Sequence, residues 1–206
     1  MDESVLRAMA KWPNVPAVYG WLALDRRGNW LIQRETIGNE ALNAFISRNY
    51  LHDSAGRWYF QNGPQRVFVD LDCAPFVYRV TSGLNAPLGL ATHTGDGVNT
   101  LLGAWIDEQG AVLIHTDRGI GNVHDQDLDP LLLAAIIDVN GNVIDENAFD
   151  ELLEVIEHQQ PIPLWIKFRD SNVRLEPIQS ADVPKRFGYN PHPVATASET
   201  TLQPHT

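Results

Sequence analysis

The chain has 206 residues, 44% of them hydrophobic, and a formal charge of −11. That hydrophobic share is enough for a packed core and excludes global disorder, while the acidity sets nucleic acid and anionic membranes against the surface. Cys73 is the single cysteine, which excludes an intrachain disulfide and a zinc site built from several thiolates and fits a reducing compartment.

In chain order, residues 1–12 form a short N-terminal segment. It opens acidic and has no basic stretch ahead of a long apolar run, so no secretory signal is expected there. No apolar run approaches the ~20 residues of a membrane span. The first strand pair follows in "WLALDRRGNWLIQ", with Asp25 and Gly28 at its turn. A helix is expected next, because Leu42, Phe45, Ile46 and Tyr50 recur at helical spacing behind Asn39, a good capping residue. The second pair is "NYLHDSAGRWYFQ", turning at Asp53 and Gly56. A loop over Gln61 to Gln65 leads into a strand in which Val67, Val69 and Leu71 alternate with Phe68, Asp70 and Asp72. Asn62-Gly63 is disfavoured as the central pair of a tight turn, because Pro64 has no N–H to close it.

Residues 85–97 read as a connector. Beyond it the pattern returns. "GAWIDEQGAVLIH" turns at Asp107 and Gly110, and "AAIIDVNGNVID" turns at Asp138 and Gly141. Between them a second helix is expected, with Asp129 as its cap and Pro130 in its first position. In all four turns Asp can accept bonds from its own downstream backbone, and Gly supplies a positive φ. Asp25 and Asp107 lie nearly as far apart along the chain as Asp53 and Asp138, which points to an internal duplication. Matching Val67 with Leu164 leaves the second copy longer by about three helical turns, and "NAFDELLEVIEH" at 147–158 has the apolar face of an added helix. Residues 181–206 are rich in Pro, Ser and Thr without periodicity and are expected to be mostly disordered.

The fold class expected is α+β: antiparallel hairpins and meanders with a few helices. A first copy covers 13–84 and a second covers 98–180, either as two domains or around one shared core.

The segments "WPNVPAVYGWLALDRRGNW", "FISRNYLHDSAGRWYFQNGPQRVFVDL" and "PFVYR" resemble a proteobacterial family of uncharacterised proteins. The resemblance is specific over residues 12–80. It implies a bacterial cytoplasmic protein, and it implies no activity, cofactor or catalytic residue.

Candidate site residues come from the chemistry alone. Gln61, Gln65, Arg66, Asp70 and Asp72 can form a polar binding face, or only a turn and a solvated sheet face. His93 and His115 lie near apolar segment ends and close in sequence to Asp96 and Asp117, so either could belong to a His–carboxylate general base. The plainer reading is a strand-end histidine bonded to a turn. Asp125, Asp127 and Asp129 alternate like the start of a calcium loop, but Pro130 and Ile136 stand where that loop needs Gly and Glu. Neighbouring Asp70 and Asp72 would suppress the thiolate of Cys73. No cofactor, metal, nucleic acid or membrane is expected, and oligomeric state is not legible. The function expected is a non-enzymatic binding or accessory protein of the cytosol, contacting a protein or small ligand. The alternative is a hydrolase-like or metal-dependent enzyme using His93 or His115.

Overall fold

The computed structural model describes residues 1–12, 15–81, 87–143, 163–196 and 201–202. The fold is α+β, with helices set on two mostly antiparallel sheets. It divides into two compact units, residues 1–75 with 184–206, and residues 76–183. The chain passes to the second unit at Phe76, ahead of the connector read from the sequence. The strand Phe76–Val80, placed by sequence in the first copy, pairs within the second sheet.

The first unit opens with α1 (Glu3–Lys11). Its sheet contains β1 (Ala17–Leu24), β2 (Trp30–Ile32), β3 (Glu35–Thr36), β4 (Tyr50–His52), β5 (Trp58–Asn62) and β6 (Gln65–Leu71). The order is β3-β2-β1-β6-β5-β4, with β1 and β6 parallel. Helix α2 (Glu40–Arg48) starts where expected, the Asn39 side chain accepting from the Leu42 N–H at 3.0 Å. Its apolar face lies on the sheet. Ile46 is buried, the Phe45 ring meets Phe60 edge-on, and the Trp30 indole N–H donates to Ser47. Burying a side chain such as Ile46 stabilises by about 1.5–3 kcal/mol.

The second unit contains β7 (Phe76–Val80), β8 (Leu90–Thr92), β9 (Leu101–Asp107), β10 (Val112–Thr116), β11 (Gly119–Val123), α3 (Leu128–Ala135), β12 (Ile136–Ile137), β13 (Trp165–Phe168) and β14 (Ser171–Ile178). Its order is β12-β13-β14-β9-β10-β11-β7-β8. A 3-10 turn at Asp125–Asp127, capped by the His124 side chain, precedes α3. The helix therefore begins at Leu128, and Asp129 and Pro130 lie inside its first turn instead of at its cap. The helix expected over 147–158 lies outside the described residues.

All four Asp–Gly turns have one geometry. The N–H groups of Asp25, Asp53, Asp107 and Asp138 donate to the carbonyls of Asn29, Arg57, Ala111 and Asn142, at 3.1, 3.0, 3.0 and 2.9 Å. Each Asp Oδ1 accepts two further backbone N–H bonds. The glycines take φ of 81°, 72°, 80° and 83°. The strands β3-β2-β1-β6-β5-β4 of the first sheet and β11-β10-β9-β14-β13-β12 of the second follow the same path around a central parallel pair, and in the second sheet β7 and β8 continue beyond β11. Along this path the place of β6 is taken by β14, the strand parallel to β9. The sequence match of Val67 with Leu164, just ahead of β13, is one strand out of step.

The C-terminal stretch departs from its expected disorder. From α4 (Val183–Phe187) the chain returns to the first unit. There Asn190 N–H donates to the Gly56 carbonyl at 2.9 Å, and Leu71 N–H donates to Pro191 at 2.8 Å. Tyr189 is buried, and its hydroxyl donates to the Cys73 carbonyl at 2.7 Å. A short β15 (Thr201–Leu202) pairs parallel with Ala17 and Val18 of β1. Composition suggested disorder, but these backbone bonds and one buried ring fasten residues 188–192.

Candidate functional site

The first unit holds a pocket whose origin is a register break. Val18 pairs with Val67 and Leu22 with Val69, so β1 spends four positions where β6 spends two. Such bulges bend a strand and re-aim its side chains. Gly20, with a φ of 71° and no atom within 4 Å of a would-be Cβ, accommodates the excess.

Beside the bulge lies a cavity of about 360 Å³. Val18, Leu22, Phe60 and Val67 form its sheet wall, and Leu42, Phe45 and Ile46 of α2 form the opposite one. Trp21 and Ile32, 37% and 40% exposed, also line it and mark the open side. The polar lining residues are Asn62 and Gln65. An apolar hollow with a few polar groups at one end is the usual form of a small-molecule site.

Asn62 and Gln65 come together because they flank a two-residue turn, paired directly across the hairpin. Its central residues are Gly63, with a φ of 55°, and Pro64. A positive φ followed by a fixed negative one is the type II′ pattern. The turn is shifted one residue from the Asn62-Gly63 pair weighed in the sequence. The missing N–H of Pro64 is therefore not the one required, and the longer loop over 61–65 is not needed. Gln61 stands behind this turn. Its Nε2 donates to the carbonyls of Gly63 at 2.8 Å and Gln65 at 3.3 Å. It is 1% exposed, so it belongs to the interior and not to a solvated face. Its Oε1 has no hydrogen-bond partner among the described residues.

The five polar candidates of this segment do not share a face. Gln65 sides with Val67 and the pocket, and its Nε2 donates to the Pro16 carbonyl at 3.1 Å. Arg66 lies on the opposite face, its guanidinium 4.9 Å from the Tyr59 ring centre. On that face Tyr19 also stacks on Phe68 at 4.5 Å, and Arg57 covers Phe68 at 4.6 Å. Asp70 is half-buried, with His192 Nδ1 at 3.9 Å. Burial raises its pKa, His192 and Arg34 pull it down without cancelling the rise, and Asp72 adds to it. Asp72 pairs with Arg34 at 3.0 Å on the surface, where such pairs contribute little.

His93 and His115 belong to the second unit. His93 follows β8, accepts the Val77 N–H on Nδ1 at 3.2 Å, and donates its own N–H to the Val77 carbonyl at 2.7 Å. His115 lies mid-strand in β10, where burial lowers its pKa. Strands β11 and β7 separate β10 from β8, so the two histidines are on the order of 14 Å apart across the sheet. Asp96 accepts from Thr94, and Asp117 accepts from Asn99 and Thr100, bonds that fix loops. In the acidic segment Asp127 is held by Arg79 at 2.6 Å and by the Val80 N–H at 3.0 Å. Among the described residues no group of three or more His, Cys, Asp or Glu could hold a metal ion. No described helix is long and apolar enough to cross a membrane.

Sequence reasoning gave the apolar faces that carry Leu42, Phe45, Ile46 and Val67 and missed the hollow between them. The available signal was Gly20 inside "AVYGWLAL", since a glycine interrupting a strand marks a bulge or a close approach.

No curated protein matches the chain. Two solved structures resemble it. A DUF1285 family protein from Silicibacter pomeroyi is 18% identical with a TM-score of 0.46, over 80% of this chain and 85% of that one. A DUF1285 family protein from Shewanella baltica is 14% identical with a TM-score of 0.37, over 56% of this chain and 90% of that one. The resemblance to an uncharacterised family, specific over residues 12–80 by sequence motifs, extends much further along the chain. The family model DUF2944, described as "Protein of unknown function (DUF2946)", matches residues 1–194, and the chain belongs to that family.

Proposed function

We propose that the protein is a non-enzymatic binding protein of the bacterial cytoplasm that takes a small molecule into the pocket between α2 and the first sheet. One observation carries the reading: a hollow of about 360 Å³ lies open between α2 and the first sheet, beside the register break in β1. Apolar wall left facing an open hollow forgoes the roughly 25 cal/mol per Å² that its burial would contribute, so such a pocket costs stability to keep. The charge of −11 supports a role away from nucleic acid and anionic membranes. The common strand path of the two sheets supports reading them as copies of one ancestral unit.

The test is a fragment screen followed by amide chemical-shift mapping. Ligands should perturb α2, β1 and the Gln65 turn together, and Leu42→Trp, which adds bulk from the helix wall of the pocket, should abolish the shifts. Hits that map elsewhere, or that bind Leu42→Trp equally well, would remove the proposal.

A further inference from the structure

We infer that the ligand is an uncharged, mainly hydrocarbon molecule of about ten non-hydrogen atoms, with one hydrogen-bond-donating end such as a hydroxyl group. The inference rests on the pocket being a ligand site.

Size follows from volume. A cavity of about 360 Å³ holds roughly a dozen atoms if each takes the ~30 Å³ of a liquid water, and fewer once packing is imperfect. Charge follows from the lining. No Asp, Glu, Lys, Arg or His contributes to the walls among the described residues. A carboxylate or ammonium drawn in would lose its hydration and find no counter-charge, and such groups are strongly rejected from apolar sites. The overall charge of −11 adds long-range repulsion against anions.

Polarity of the head group follows from the turn. Gln65 lines the pocket and gives its Nε2 to the Pro16 carbonyl, which leaves its Oε1 as the group that can accept from a ligand. Asn62 is exposed beside it and brings both a donor and an acceptor. An alcohol satisfies Gln65 Oε1 by donation and can still accept from Asn62. Gln61 keeps this turn in shape through its two bonds to the Gly63 and Gln65 carbonyls. It acts as a positioning residue and does not touch the ligand.

The experiment compares octan-1-ol, octanoate and octylammonium at neutral pH. The wild-type chain, Leu42→Trp and Gln65→Leu are each titrated by calorimetry and by amide chemical shifts. Octan-1-ol should bind at least about tenfold tighter than either ion, because burial of an unpaired charge disfavours both. Leu42→Trp should lose binding. Gln65→Leu should weaken octan-1-ol by about two- to tenfold, the range of one neutral hydrogen bond, and leave the contrast with the ions. If an ion binds as well as the alcohol, and Leu42→Trp still blocks it, the pocket stands and the neutral class is wrong. If none of the three shifts the amides of α2 and β1, the pocket reading fails together with the inference. Should Leu42→Trp fold poorly, shift mapping on the wild type decides alone.

Discussion

Replacing Gly56 by Ala tests whether the C-terminal segment is built into the first unit. Two costs arise. At a φ of 72° an L side chain is strained by about 1–2 kcal/mol. A Cβ there would also collide with the Gly188 carbonyl and lie 3.0 Å from Tyr189 Cα. Backbone cannot swing aside as a side-chain tip does, so the segment must shift, at about 1–3 kcal/mol as in other overpacked sites. The shift endangers the Asn190-to-Gly56 and Leu71-to-Pro191 hydrogen bonds. The control is Gly20→Ala in the same unit. Gly20 has a φ of 71°, and nothing lies within 4 Å of its would-be Cβ. It carries the conformational cost without the collision. Urea denaturation of both variants should place Gly56→Ala about 1–3 kcal/mol below Gly20→Ala, and limited proteolysis should cut its C-terminal segment sooner. If the two variants agree within about 0.5 kcal/mol, the segment is not seated on Gly56 and the reasoning fails.

Gln61→Ala should destabilise by about 1–2 kcal/mol in urea melts, since two bonds to the turn carbonyls are lost while one unpaired acceptor is removed. Arg66→Ala should cost less than about 1 kcal/mol, because it forfeits only an exposed contact with the Tyr59 ring, and equal losses would refute this division. Asp70 and Asp53 should respond oppositely to pH. Burial raises the folded pKa of Asp70, so its ionisation costs stability above that pKa; Asp70→Asn should be the more stable protein near pH 7, with the gain fading on acidification. For Asp53 burial also opposes ionisation, but bonds from the Arg57 backbone and guanidinium and from Ala55 prevail and lower the pKa. Its contribution is complete above the unfolded pKa and is lost as pH falls through the folded one. Asp53→Asn should therefore be weaker at pH 7 and converge with wild type in acid, and parallel pH profiles for the two variants would contradict both assignments.

The four Asp–Gly turns were legible because their causes are local: one side chain bonding its own downstream backbone, and one glycine at positive φ. Helix α2 was legible for the same reason, from a cap and a periodic face. The type II′ turn was hidden because Pro64, lacking the N–H that an Asn62-Gly63 turn needs, points to a longer loop over 61–65, whereas Gly63-Pro64 puts the glycine first and leaves the closing N–H to Gln65. Burial of Gln61 could not be read, because alternation gives the face of a residue and not what covers it. The order at 188–192 was hidden because it depends on backbone bonds to Gly56 and Leu71, far away in sequence and independent of side-chain composition. The pocket was hidden for a related reason. A two-residue register excess exists only between strands, and β1 and β6 are neighbours only once the fold has formed.

That excess also sets apart two central parallel pairs that lie on one strand path. In the second unit Leu175, Glu176, Pro177 and Ile178 pair with Ala104 through Asp107 without a break. Counting back from the turn aspartates, Trp21 corresponds to Gly103 and Ala23 to Trp105. In β9 the indole of Trp105 lies over Gly103, where any Cβ would strike the ring, and its N–H donates to Glu176 at 3.1 Å. The ring needs glycine at its side and a regular parallel neighbour to supply the acceptor. In β1 the tryptophan stands two positions earlier, at the end of the bulge, and is partly exposed at the pocket. Its place two positions later is taken by Ala23, which is buried against Asp70 of β6. The bulge can be tolerated because both of its ends are held. Gly20 absorbs the strained backbone, and Tyr19 stacks on Phe68 on the far face while its hydroxyl receives the Arg57 guanidinium at 3.3 Å. Moving the tryptophan two positions toward the start of the strand, beside the glycine of a broken register, therefore gives β1 an open side where β9 keeps regular parallel pairing.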